Sequence, residues 1–203
     1  MAAIVVPFRG ATGKSRLAVL PARTRRKLGL AMLGDVVAAC TCTSRTIVVT
    51  SDGAAAKLAE DLGATIAEDP GGGQGAAVAR ALSAAPAGRV LVVNADVPSV
   101  VPHDLRALEA ATPPGGIAIV IAADGTTNAL GLARADLFQP LYGPGSAERF
   151  RAHVEGLGAD VVEASIPTLI EDVDQPGDLE RLGLRVGPRT LAAAASLAKL
   201  VSA

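Results

Sequence analysis

The feature of this sequence that most constrains its fold is the alternation of short apolar runs with longer segments of helical spacing. Five apolar runs fall within residues 1 to 124: AAIVVPF, RTIVVTSD, ATIAED, RVLVVNAD and GIAIVIAAD. Between the first two, residues 21 to 40 carry an apolar stripe at Leu28, Met32 and Val36, the spacing of one helix face. Strands that alternate with helices are joined by right-handed crossovers into a mainly parallel sheet. The prediction is an α/β protein with three α/β/α layers and a mainly parallel, mixed sheet.

The same patterns predict the remaining elements. Helices are predicted for GAAAKLAEDLG, the segment after the glycines at 70 to 75, VPHDLRALEAA, QPGDLERLG and residues 188 to 201, and GPGSAERFRAHVEGLG predicts a loop that leads into another helix. TTNALGLA, ADVVEASIP and TLIEDVD predict further strands. The chain contains no internal repeat or linker, so we expect a single domain over residues 1–203.

Composition narrows the function classes. The chain has 203 residues and a formal net charge of −1. A nearly neutral chain is not expected to be drawn to nucleic acid or to a membrane surface. No apolar run reaches the ~18 residues of a membrane span, and no basic region precedes the first apolar run, so we expect a cytoplasmic protein.

Residues 7 to 16, PFRGATGKSR, end like a phosphate-binding P-loop. That motif, G-x-x-x-x-G-K-[ST], requires a glycine where Phe8 stands, and a bulky side chain there blocks the close backbone approach. Arg9, Lys14 and Arg16 nevertheless flank a glycine-containing loop after an apolar strand, which favours an anion site. The basic residues at 23 to 27 are interpreted as a solvated helix face.

Polar residues follow several of the predicted strands. Ligands of parallel α/β sheets bind at the carboxyl ends of the strands, so we expect the loop at 9 to 15, Asp52, the glycines at 70 to 75, Asp96 and the loop at 124 to 128 on one rim. A lone aspartate at a strand end is usually a turn or helix-cap residue. Asp96 is nevertheless the sharpest candidate for a Mg²⁺ ligand, because Mg²⁺ is typically held by one or two carboxylates plus substrate phosphates.

The segment EDVDQPGDL at 171 to 179 supplies further carboxylates. Asp172 and Asp174 alternate with Val173, so both face the same side of an extended segment and one or both can reach an ion held by Asp96. Asp178 lies in the first turn of a predicted helix, where a negative charge favours the helix dipole, and we expect a structural role for it.

Five segments together resemble a known family. VPFRGATGKSRLAVL, VLVVNADVPSV, GTTNAL, YGPGSAERFRAH and DVDQPGDL occur in the order and at roughly the spacing of the 2-phospho-L-lactate and phosphoenolpyruvate guanylyltransferases of coenzyme F-420 biosynthesis. The resemblance runs over about residues 4 to 182. It implies a single nucleotidyltransferase domain of the glycosyltransferase-A type, a Rossmann-like fold, that transfers GMP from GTP to a small phosphorylated acid and releases pyrophosphate.

The resemblance also implies roles for individual residues. Lys14, Ser15 and Arg16 hold the triphosphate, and Asp96 is a magnesium ligand with Asp174 or Asp172 as its partner. Thr127, Gly143 and Ser146 hold the acid substrate. Gly72, Gly73 and Asp52, on the same rim, complete the predicted nucleotide-binding set. Physically, Ser146 can cap the helix that follows it, and the free N–H groups of that helix suit an anion.

Two positions depart from the family pattern. Arg9 stands where a lysine is usual, which keeps the charge but replaces a point charge with a planar fork. Gly75 stands roughly where an asparagine is usual, and the neighbouring Gln74 is the candidate to replace it.

Several alternatives remain open at this stage. A P-loop-like kinase or NTPase, a non-catalytic nucleotide-binding module, and a related nucleotidyltransferase acting on 3-phosphoglycerate, molybdopterin, a sugar phosphate or an isoprenoid precursor are all compatible with parts of the sequence. The bias toward Ala, Gly and Arg is that of a GC-rich genome and favours phosphoenolpyruvate over 2-phospho-L-lactate as acceptor. A homodimer and coupling to the next enzyme of the pathway are further open alternatives.

Overall fold

The computed structural model describes residues 2–10, 19–85 and 88–201, with side chains as far as residue 196. In this part of the chain the strands are β1 (Ala3–Pro7), β2 (Thr46–Val49), β3 (Thr65–Ala67), β4 (Val90–Val93), β5 (Ile117–Ile121), β6 (Thr127–Leu132) and β7 (Val161–Glu163). The helices are α1 (Ala22–Thr41), α2 (Gly53–Asp61), α3 (Gln74–Leu82), α4 (Pro102–Ala111), α5 (Ser146–Gly156), α6 (Pro167–Ile170), α7 (Pro176–Leu182) and α8 (Pro188–Val201). None of these helices is both long and apolar enough to cross a membrane.

The strands form one sheet in the order β3-β2-β1-β4-β6-β5-β7. β6 runs antiparallel to both of its neighbours, β4 and β5, whereas the other pairs are parallel. The mainly parallel, mixed sheet is therefore confirmed.

Helices cover both faces of the sheet, as the three-layer prediction requires. Ile4 of β1 belongs to the core cluster on one face that includes Leu33 of α1, whereas Val5 belongs to the cluster on the other face that includes Val78 of α3 and Phe150 of α5. This division follows from the alternation of side chains along a strand. All of β1 is buried, because a central parallel strand is covered on both faces.

One predicted strand is wrong. TLIEDVD was expected to extend the sheet, but its first residues belong to the short helix α6 and residues 171–174 lie outside any strand. Pro167 at the first position of α6 has the backbone angle that starts a helical turn, and Leu169 buries its side chain in the core. Residues 171–174 remain extended enough to pair once with the loop after β4, where the Val173 N–H donates to the Asp96 carbonyl at 2.9 Å.

A buried carboxylate fastens α8 to α1. Asp35 lies within α1, is 6% exposed, and accepts hydrogen bonds from the backbone N–H groups of Arg189 at 3.1 Å and Thr190 at 2.7 Å. N–H groups in the first turn of a helix have no partner inside it, so Asp35 acts as a cap supplied by a different helix. Gly187, the residue before α8, has to be glycine, because a Cβ at this position would collide with the Asp35 side chain.

A cap of the usual local kind begins α2. Asp52 Oδ1 accepts hydrogen bonds from the N–H groups of Ala54 at 2.9 Å and Ala55 at 3.1 Å, and Arg26 Nη2 donates to both carboxylate oxygens at 3.1 and 3.2 Å. Partial burial by itself raises the pKa of the Asp52 carboxyl, but the hydrogen bonds from Ala55, Arg26 and Ala54 outweigh burial. The net pKa of Asp52 therefore lies below its ordinary value.

Asp35→Ala is expected to lower the free energy of unfolding by about 3 kcal/mol, because two charge-assisted hydrogen bonds are lost and two N–H donors are left without an acceptor. Urea unfolding measures the change. Asp61→Ala removes a carboxylate from the exposed surface of α2 and is the matched control, for which we expect a change under about 0.5 kcal/mol. Equal losses in the two variants would contradict the capping role of Asp35.

Asp52→Asn keeps an acceptor at the N-cap and removes the charge. A carboxyl group whose pKa is lowered by folding stabilises the native state at pH values above its unfolded-state pKa of about 3.9. This contribution is lost as the pH falls through the folded-state pKa. The variant should be less stable than the parent by about 0.5 to 1 kcal/mol at pH 7, and the difference should shrink below about pH 4. Urea unfolding over a pH series tests this, with exposed Glu60→Gln in the same helix as control. A difference that does not change with pH would exclude the charge as its cause.

Candidate active site

The carboxyl ends of β1, β2, β4 and β5 lie at one edge of the sheet, because these strands run in the same direction. Arg9 follows β1, Asp52 follows β2 and Asp96 follows β4. β6 begins at this edge with Thr127, directly after the turn in which the Ala122 N–H donates to the Thr126 carbonyl at 2.9 Å. Arg9, Asp52, Asp96 and the start of β6 therefore share one edge as expected, whereas residues 11–15 of the expected rim lie outside the described residues.

Three carboxylates meet on this rim. One ligand oxygen from each of Asp96, Asp172 and Asp174 lies within 4.8 Å of the others, and all three residues are partly buried. We refer to them as the acidic cluster. Val173, between the two later aspartates, is fully buried against α1, α7 and α8, so that its neighbours both turn toward Asp96.

Asp178 holds the later part of the acidic cluster in place. Its Oδ2 accepts hydrogen bonds from the backbone N–H groups of Asp174 and Gln175, each at 2.9 Å. Partial burial by itself raises the pKa of Asp178, but these hydrogen bonds and Arg181 outweigh burial and lower it. The structural role expected for Asp178 is confirmed, since it caps α7 through the backbone.

The acidic cluster has the chemistry of a site for a hard divalent cation. Three carboxylates offer oxygen ligands of the kind that Mg²⁺ prefers, and a cation between them offsets their mutual repulsion. The structure confirms the predicted proximity of Asp96 to Asp172 and Asp174. Residues 171–174 do not, however, form the predicted strand.

Two buried hydroxyl groups form a second feature of the rim. Ser146 Oγ donates to Thr127 Oγ1 at 3.0 Å, and we call these residues the hydroxyl pair. The Ser146 N–H donates to the Gly143 carbonyl at 3.0 Å, which brings the three predicted acceptor-binding residues together. The expectation that Ser146 caps α5 is wrong: Gly145 is the N-cap, with a left-handed φ of 67°, and this frees the serine hydroxyl to reach Thr127.

Arg149, which the sequence analysis did not single out, shapes the loop before α5. Its guanidinium donates to the carbonyls of Leu141, Tyr142 and Pro144. Gly143, inside this loop, has a φ of 117° that suits glycine. The sequence signal that could have predicted these contacts is a basic residue one helical turn after the GPGS loop.

Asparagine side chains connect the two features. Asn94 Nδ2 donates to the Thr127 carbonyl at 3.1 Å, and Gln74 Nε2 donates to Asn94 Oδ1 at 2.6 Å. Asn128 Nδ2 donates to the Ile170 carbonyl at 3.0 Å, just before the acidic segment. The start of α3, the end of β4, the start of β6 and the segment from Ile170 are thus parts of one hydrogen-bonded network.

The close approach of Pro140 accounts for the departure at position 75, the second residue of α3. A Cβ on Gly75 would lie 2.5 Å from Pro140 Cβ and 2.8 Å from its Cα, so an asparagine does not fit without backbone movement. Gln74 reaches Asn94 from the adjacent position instead. Gly72 and Gly73 have φ values of 80° and 104° and stand where the loop turns into the helix.

A cavity of about 400 Å³ lies on the β1–β2 side of the rim, and we call it the arginine cavity. It is lined by Arg9, Gly10, Ala22, Arg25, Arg26, Ser51 and Asp52. The predicted solvated face at 23 to 27 holds for Arg23, Arg26 and Lys27, which are exposed, whereas Arg25 is half-buried. Arg25 and Arg26 also line the cavity. Lys14, Ser15 and Arg16 lie outside the described residues.

Known proteins resemble this chain in sequence and in fold. Residues 23–166 match the family model of the MobA-like NTP transferase domain. A relative from Thermomonospora curvata, named phosphoenolpyruvate guanylyltransferase, is 38% identical over 96% of this chain and 89% of its own length. A second protein of that name, from Streptomyces coelicolor, is 40% identical over 96% of each chain.

Among solved structures, 2-C-methyl-D-erythritol 4-phosphate cytidylyltransferase from Thermus thermophilus superposes with a TM-score of 0.59 at 21% identity, over 96% of this chain and 98% of that one. This likeness supports the predicted nucleotidyltransferase fold of the glycosyltransferase-A type. The family resemblance drawn from five sequence segments is also confirmed. The chain is a nucleotidyltransferase of the MobA-like NTP transferase family and belongs with the phosphoenolpyruvate guanylyltransferases.

Proposed function

We propose that this protein transfers GMP from GTP to phosphoenolpyruvate, with release of pyrophosphate, as a step of coenzyme F-420 biosynthesis in the cytoplasm. The observation that carries the proposal is that the acidic cluster and the hydroxyl pair lie on the same rim of the sheet. The relatives of the chain are named phosphoenolpyruvate guanylyltransferase. In this proposal residues 1–203 act as one domain. Homodimer formation and coupling to the next enzyme stay predictions.

The reaction forms one bond and breaks one. A phosphate oxygen of the acceptor attacks the α-phosphorus of GTP, the bond from that phosphorus to the oxygen bridging to the β-phosphate breaks, and pyrophosphate leaves with the electron pair. The attacking oxygen is already an anion, so no side chain has to remove a proton. The difficulty lies in bringing two polyanions together in line.

The acidic cluster would hold Mg²⁺ at this point. Asp96 is central to it, because its loop is hydrogen-bonded to Val173 and so lies against both other carboxylates. The bound ion would neutralise phosphate charge and orient the reacting groups. Arg9 would add positive charge for the triphosphate, as would Lys14 and Arg16, which the family resemblance predicts to hold it. Gly72, Gly73 and Asp52 stay predicted nucleotide contacts.

The acceptor would lie at the hydroxyl pair. Thr127 and Ser146 offer two hydroxyl groups, and the positive end of the dipole of the 11-residue helix α5 favours a carboxylate or phosphate. Gly143 lets the loop backbone approach such an anion. Phosphoenolpyruvate, 2-phospho-L-lactate and 3-phosphoglycerate all carry a carboxylate and a phosphate, so each presents the same two anionic groups to this site.

The purified protein, incubated with GTP, Mg²⁺ and each of the three acids in turn, is expected to release pyrophosphate and to form the guanylylated acid fastest with phosphoenolpyruvate. Mass spectrometry of the product and a pyrophosphate assay measure this. Release of orthophosphate or formation of GDP would instead indicate an NTPase or kinase. Binding of GTP without turnover of any acid would indicate a nucleotide-binding module.

Asp96→Ala is expected to lower kcat for GMP transfer by about a hundredfold or more, because a group that stabilises charge in a closed site contributes at least that much. Thermal unfolding should show that the variant remains folded. Asp136→Ala removes an exposed carboxylate that pairs with Arg134 and should leave kcat unchanged. Near-normal turnover of Asp96→Ala would exclude the proposed metal role.

A further inference from the structure

We infer that Arg25 and Arg26, together with Arg9, form the subsite for the β- and γ-phosphates of the nucleotide, and hence for the pyrophosphate that leaves. This inference rests on the proposed function and assigns the arginine cavity to one part of its substrate. Three guanidinium groups and one carboxylate supply the charges among the described lining residues. A cavity of about 400 Å³ is within the usual range for small-ligand sites.

Both oxygens of the carboxylate in the cavity already accept hydrogen bonds from the protein. Asp52 Oδ1 accepts hydrogen bonds from Ala54, Ala55 and Arg26, and its Oδ2 also accepts from Arg26. The pairing holds the Arg26 guanidinium in a fixed orientation, while the Arg26 side chain stays 55% exposed. Arg26 therefore keeps donors directed toward solvent in the cavity, where a phosphate can accept from them.

Arg25 provides a second observation that points to an anion. Its Nε is buried and has no hydrogen-bond partner among the described residues, which is unusual for a charged group. An arginine side chain has five N–H donors in a planar fork that matches phosphate oxygens. A phosphate in the cavity would supply the acceptors that this part of the structure lacks.

The sheet order indicates which phosphates these are. The arginine cavity lies beside the ends of β1 and β2, whereas Asp96 follows β4 on the other side of β1, and the hydroxyl pair begins β6 one strand further. In an in-line displacement the attacking and leaving oxygens lie on opposite sides of the phosphorus. An acceptor at β6 and a metal site at β4 therefore direct the leaving group toward β1 and β2.

The experiment measures pyrophosphate binding directly, in the presence of Mg²⁺ and without any acceptor, by isothermal titration calorimetry. Arg25→Ala and Arg26→Ala are expected to weaken pyrophosphate binding by about tenfold or more each, and to change GMP binding less than about twofold. Arg25→Lys keeps the charge but loses the fork and should show an intermediate loss. Thermal unfolding identifies any variant that fails to fold.

Arg23→Ala and Lys27→Ala are the matched controls, because both residues are exposed on the same helix and neither lines the cavity. Pyrophosphate affinity that is unchanged in folded Arg25→Ala and Arg25→Lys would overturn the inference. So would an equal loss in the controls, which would indicate general attraction, or an equal loss of GMP binding, which would place the nucleoside in the cavity. Because no acceptor is used, absence of GMP transfer would overturn the proposed function while leaving this measurement intact.

Discussion

The proposed active site depends on how the C-terminal segment is attached to the loop after β4. The Val173 N–H donates to the Asp96 carbonyl at 2.9 Å, and the Gly187 N–H donates to the Pro98 carbonyl at 2.7 Å. Asp35 then binds the first turn of α8 to α1, immediately after Gly187. Carboxylates that lie more than seventy residues apart in sequence are brought within coordination distance by these backbone contacts, without being part of the sheet.

The reversal of β6 gives the rim its second half. β6 runs antiparallel to β4 and β5 and begins at the edge where they end, so Thr127, its first residue, lies at the same edge as Asp96. Asn94, at the end of β4, accepts from Gln74 and donates to the Thr127 carbonyl, which connects the start of α3 to the start of β6. Along the sheet, the arginine cavity, the acidic cluster and the hydroxyl pair therefore follow one another in the order of strands β2-β1-β4-β6.

Much of this arrangement could be predicted because local pattern and tertiary structure agree. Apolar strands and amphipathic helices are set by short-range periodicity, and strand ends in a parallel sheet necessarily share an edge. The alternation of Asp172 and Asp174 about Val173 also placed both carboxylates correctly. The errors had two causes. Pro167 starts a helical turn that buries Leu169 where an apolar strand was expected, and Thr127, nineteen residues away in sequence, bonds the hydroxyl that Ser146 was expected to use as a cap.

By itself, the sequence determined the layered α/β architecture, the polar rim, the candidate carboxylates and the family, because each depends on residue type and spacing along the chain. Only the tertiary structure decided that Arg25 and Arg26, two members of the basic face at 23 to 27, share a cavity with Arg9 and Asp52. Helical periodicity shows which residues share a face but not what lies opposite that face. The Arg26 to Asp52 contact joins α1 to the end of β2, and the register of those two elements is set by the packing of the whole core.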